Sequence, residues 1–93
     1  MSEVFAHVEV TGRVQGVGFR EFVRTIAQRL NIAGWVRNRE DGAVELAAFG
    51  SASHIETLLA AVRRGPANGN VQQVRALPID EHDSMPKPFV IRR

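Results

Sequence analysis

The residues best placed to do chemistry lie in one stretch, Gly12-Arg13-Val14-Gln15-Gly16-Val17-Gly18-Phe19-Arg20. Its glycines let backbone N–H groups turn inward. If a helix starts after Gly18, its first N–H groups have no partner of their own. Such a nest at the positive end of a helix dipole attracts an anion, phosphate above all. Arg20 would sit in the first helical turn, where a cation is disfavoured unless an anion is present. A guanidinium grips phosphate oxygens two at a time. The same residues also fit a plain glycine turn with Arg20 in a surface ion pair. A Walker A loop is excluded, because no Lys-Ser/Thr pair follows Gly18. The dinucleotide fingerprint fails too, because its third glycine position is Glu21.

The elements that must position this loop are short and alternate. Val4, Ala6, Val8 and Val10 alternate with Phe5, His7 and Glu9, which predicts a strand with one buried face. Phe19, Phe22, Val23, Ile26, Ala27 and Leu30 recur at helical spacing, and Asn31 suits a left-handed end. Gly34 to Arg39 reads as a second strand and Asp41-Gly42 as a tight hairpin. Val44, Leu46 and Ala48 mark a third strand, which Gly50 is expected to break. Ser51 or Ser53 caps a second helix, with Ser53 and Glu56 as a possible capping box. Ala52, Ile55, Leu58, Leu59 and Val62 form its buried stripe, and Gly65-Pro66 stops it. Val71 to Ile79 reads as a fourth strand and Phe89 to Ile91 as a short final one. The order β-α-β-β-α-β predicts an α+β, ferredoxin-like sandwich. Two helices cover one face of an antiparallel sheet, with a short C-terminal strand.

Composition narrows the function classes. A chain of 93 residues holds one domain, here residues 1–93, and is expected to be a stand-alone protein. Its 44% apolar and 24% charged residues fit a globular domain rather than a disordered one. With no cysteine, disulfides, thiol nucleophiles and thiolate metal sites are excluded, and a cytoplasmic location is expected. No signal-peptide pattern opens the chain, and no apolar run nears the roughly 20 residues of a membrane span. Of the 12 basic residues, 11 are arginine and one is Lys87, yet net charge is only +2. So small a net charge argues against a nucleic-acid partner.

The loop then resembles the signature of the acylphosphatase family. Gly34-Trp35-Val36-Arg37-Asn38 is similar to that family's second motif. Asp41-Gly42-x-Val44-Glu45, Gly65-Pro66 and Phe89-x-Ile91 also stand at the family's usual places, so the likeness spans nearly the whole chain. The resemblance implies hydrolysis of the carboxyl–phosphate bond of acyl phosphates, giving a carboxylate and inorganic phosphate. It implies that Arg20 binds the phosphoryl group together with the backbone amides of Gln15, Gly16, Val17, Gly18, Phe19 and Arg20. It further implies that Asn38 positions the attacking water. No cofactor and no metal are implied, and the expected partner is a small-molecule acyl phosphate, met by a monomer. Physically, a carboxylate leaves without needing protonation, so positioning and charge stabilisation can carry the reaction. Asn38 is no real base, and the substrate's own phosphate oxygen is the expected proton acceptor. Position 38 can face the loop if strand 2 lies beside strand 1. Two positions depart from the family pattern: Asn31 replaces a common glycine, and Arg39 replaces a frequent small hydroxyl residue.

Two other function classes fit the same fold. One is a non-catalytic domain that binds acyl or carbamoyl phosphate for a larger enzyme. The other is an RNA-binding sheet, for which Phe5, Phe49 and Phe89 would need to share a face. His7, His54 and His82 read as surface histidines. Arg37 and Arg39 could extend a positive rim or simply be solvated.

Overall fold

A computed structural model describes residues 2–93. Seven elements follow in order: β1 Glu3–Arg13, α1 Phe19–Arg29, β2 Ala33–Asn38, β3 Val44–Ser51, α2 Ala52–Arg64, β4 Asn70–Ala76 and β5 Val90–Ile91. The strands form one sheet in the order β4-β1-β3-β2-β5. Four strands are mutually antiparallel, but β5 runs parallel to β2, so the sheet is mixed rather than purely antiparallel. The α+β, ferredoxin-like plan expected from the sequence is the one observed.

Period-two patterning fixes which face each strand buries. Ala6, Val8 and Val10 oppose Ala48, Leu46 and Val44, and these six residues face the helices. Phe19, Val23 and Ala27 from α1 and Ile55, Leu58 and Val62 from α2 close the core from above. Each fully buried aliphatic or aromatic side chain here contributes about 1.5–3 kcal/mol of transfer free energy.

Several boundaries move for identifiable reasons. β3 runs through Gly50 to Ser51, because Gly50 still pairs with Val4. Ser51 is the N-cap of α2, its hydroxyl accepting from His54 N at 3.3 Å. Ser53 therefore lies inside the helix and the Ser53–Glu56 box does not form. Ala52 is exposed and Ala61 is buried in its stead. β4 ends at Ala76, before Pro78, which has no N–H to continue a ladder. β5 begins at Val90, since Phe89 turns wholly into the core. Asn31 adopts φ 58°, the left-handed end expected of it.

Strand 2 does not lie beside strand 1; β3 intervenes. Asn38 nevertheless sits in register with Val44, which is in register with Val10. Asn38 thus stands at the end of the sheet where β1 gives way to the loop, on the helix-covered face. A β-bulge between Thr11 and Gly12 bends β1 just before that loop. Gly12 has φ 120°, and a Cβ there would lie 2.2 Å from Asn70 O. Both the backbone angle and the close strand approach demand glycine. Gly12→Ala is expected to destabilise the protein by more than about 2 kcal/mol, as strained backbone and steric overlap combine. Urea unfolding of the variant checks this; a change under about 0.5 kcal/mol would contradict it.

Candidate active site

The loop between β1 and α1 needs two left-handed turns in quick succession. Gly16 has φ 76° and Gly18 has φ 79°, and only glycine takes these freely. Gly18 is also the N-cap of α1, and it offers no side chain to cap the helix. Among the described residues, no protein acceptor takes the backbone N–H of Gln15, Gly16, Val17 or Gly18. Those of Phe19 and Arg20 are the orphan donors of a helix's first turn. The loop thus presents a run of unpaired donors at a helix N-terminus.

A cleft of about 510 Å³ opens against this loop. Val14, Gly16, Gly18, Phe19 and Arg20 line one side, and Asn38 and Ile91 line the other. Arg20 has no ion-pair partner among the described residues, since neighbouring Glu21 pairs with Arg24 instead. The surface ion pair that the plain-turn reading gave Arg20 is therefore not found among the described residues. The Oδ1 of Asn38 is buried yet has no hydrogen-bond partner. A buried carbonyl oxygen left unpaired is costly. Of the residues expected in the site, Arg20, Asn38, Gly16, Gly18 and Phe19 line this one cleft, whereas Gln15 and Val17 are not among its lining residues. Arg93 also borders the cleft, and no sequence signal marked it. The described residues contain no group of three or more His, Asp and Glu arranged to hold a metal ion.

The other side of the sheet carries a separate charge network. Arg37 and Arg39 flank Asn38 and so point away from the cleft, and the positive rim considered for them does not form. Arg37 Nη2 lies 2.7 Å from Glu45 Oε1, and Arg39 Nη1 lies 2.8 Å from Glu9 Oε1. Glu9 also takes Arg75 at 2.7 Å, and Arg39 takes Asp41 at 2.5 Å. The Asp41 and Glu9 hydrogen bonds push the Arg39 pKa up, and that same Arg39 contact pulls Asp41 down. His7 lies on the outer face, partly exposed, and its ring nitrogens lie 2.6 Å from Glu45 Oε2 and 2.7 Å from Pro78 O. Burial pushes the Glu45 carboxyl up, but the hydrogen bonds from His7 and Arg37 outweigh it and hold its pKa below the ordinary 4.5. Phe5 and Phe49 pair on this outer face with centroids 4.5 Å apart, while Phe89 is in the core. Phe5, Phe49 and Phe89 therefore do not share a face.

The acylphosphatase family model matches residues 6–91. The chain belongs to the acylphosphatase family. It is 46% identical over 84 residues to an acylphosphatase of Salinibacter ruber, covering 90% of this chain and 87% of that protein. The crystal structure of acylphosphatase from Bacillus subtilis superimposes with a TM-score of 0.84 at 34% identity, covering 99% of this chain and all of that one. A segment of HypF from T. kodakarensis shares the fold at TM-score 0.81 and 27% identity, but it is only 12% of that chain. The reading as a hydrolase of acid anhydrides stands with the family.

The depressed Glu45 pKa sets a pH dependence for this acylphosphatase. Stability from Glu45 is fully present above its unfolded-state value near 4.5 and is lost as pH falls through its lower folded-state value. The melting-temperature gap between the native protein and Glu45→Gln should therefore hold from pH 7 to 5 and shrink below it. A gap that stays constant down to pH 3 would contradict the Glu45 ion pairs.

Proposed function

We propose that this acylphosphatase holds the phosphoryl group of an acyl phosphate against Arg20 and the amides of Gln15 to Arg20, and that Asn38 orients the attacking water. The observation carrying it is that an unpaired guanidinium, a run of unpaired amides and an orphaned buried Oδ1 share one cleft. Arg20 and the amides can only donate, as a phosphoryl group requires. Asn38 Oδ1 can only accept, as a water's proton requires.

The reaction then needs little else. Water oxygen attacks phosphorus in line with the carboxylate. The P–O bond to the acyl group breaks, and its electron pair leaves with the carboxylate. Water's proton passes to a phosphate oxygen. Charge spreads over the equatorial oxygens in a loose transition state, where fixed donors act most strongly. The apolar residues of the cleft lining, Phe19 and Ile91, meet the acyl group. The enzyme works as a monomer in the cytoplasm; light scattering and cell fractionation check both.

Hydrolysis of benzoyl phosphate by the purified protein tests the roles. Arg20→Ala should lower kcat/KM about 10³-fold or more, the scale of an arginine that stabilises phosphoryl transfer. Asn38→Ala should lower kcat about 10²-fold or more while phosphate still inhibits competitively. Phosphate binding at Arg20 without any turnover in the native protein would favour the binding-domain reading instead. Turnover that survives Asn38→Ala would remove its assignment to water.

A further inference from the structure

One polar side chain in the loop makes bonds that neither the fold nor phosphate binding calls for. Gln15 Nε2 donates to Arg39 O at 2.8 Å and to Ala43 O at 2.9 Å. Both carbonyls already have a partner. Arg39 O accepts from Gly42 N at 3.2 Å, and Ala43 O accepts from Arg39 N at 2.9 Å. The hairpin between β2 and β3 is therefore closed without Gln15. What the Gln15 amide adds is a tie from the phosphate loop to the residue directly after Asn38.

We propose that Gln15 is a positioning residue, whose side chain fixes the separation between the phosphoryl group at the loop and the water at Asn38. The loop and Asn38 belong to strands that are not neighbours, since β3 lies between β1 and β2. No ladder hydrogen bond connects them directly. Arg39 is held from the opposite face as well, where its guanidinium bonds Glu9 on β1 and Asp41 in the hairpin. Residue 39 is thus clamped to β1 from below and to the loop from above. Asn38 is the residue directly before this doubly held one. In-line attack tolerates little error, and a misplacement of about 1 Å can cost 10²-fold in rate.

This inference rests on the assignment of Asn38 to water, and its test separates the two. Gln15→Met keeps the length of the side chain and loses both donors. Its kcat on benzoyl phosphate should fall about 10- to 100-fold, while the inhibition constant of inorganic phosphate changes less than about threefold. In the Asn38→Ala background the same substitution should cost almost nothing further, because the group it positions is gone. Equal losses in kcat and phosphate affinity, or losses that multiply with those of Asn38→Ala, would overturn the proposal. If Asn38→Ala alone keeps full turnover, the water assignment fails and the proposal falls with it. Should Gln15→Met not fold, Gln15→Asn, which keeps the amide but is one methylene short, is read the same way.

Discussion

Among the described residues, the loop from Gln15 to Gly18 leaves four backbone donors without a protein acceptor, next to a guanidinium that has no carboxylate to pair with. A folded chain rarely tolerates so many unpaired donors in one place, and it places a cation at a helix N-terminus more rarely still. The phosphoryl anion proposed for the cleft is the single ligand that would offset both costs together. The rest of the molecule reads as the frame that keeps this arrangement from relaxing. The bulge at Gly12 aims the chain, the left-handed glycines shape it, and α1 is pinned by Phe19, Val23 and Ala27 in the core.

The sheet divides its labour between two faces. Its helix side is apolar up to the end where Asn38 breaks the pattern. Its outer side holds two buried carboxylates, Glu9 and Glu45, each compensated by two positively charged or hydrogen-bonding partners. Buried carboxylates cost more than apolar residues would, so such pairs are weak evidence for stability alone. Their geometry gives them a different use. They hold the residues on either side of Asn38, Arg37 and Arg39, and so fix the strand end that carries it.

Much of this was legible from residue types. Periodic patterning together with turn signals placed the seven elements, and the glycines with Arg20 marked the loop that borders the cleft. The rest was hidden for physical reasons. A strand pattern shows which residues share a face but not the order of strands, so β3 between β1 and β2 could not be foreseen. Polar residues opposite the core read as solvated, yet Pro78, Asp83 and Arg92 lie against part of that face. The His7 ring lies 2.7 Å from Pro78 O, Trp35 Nε1 donates to Asp83 Oδ2 at 3.0 Å, and the Arg92 guanidinium lies 4.5 Å from the Trp35 ring centroid. Side-chain bonds to distant carbonyls, such as those of Gln15, leave no periodic trace.

The most direct test of the shared phosphate and water site is a phosphate titration followed by backbone and side-chain amide NMR. Saturable shifts should be confined to the amides of residues 15–20, the Arg20 guanidinium and the Asn38 side chain. In Arg20→Ala the same titration should leave these signals unmoved. Saturable shifts centred elsewhere, or an Asn38 signal indifferent to phosphate, would contradict a single cleft that holds both reactants.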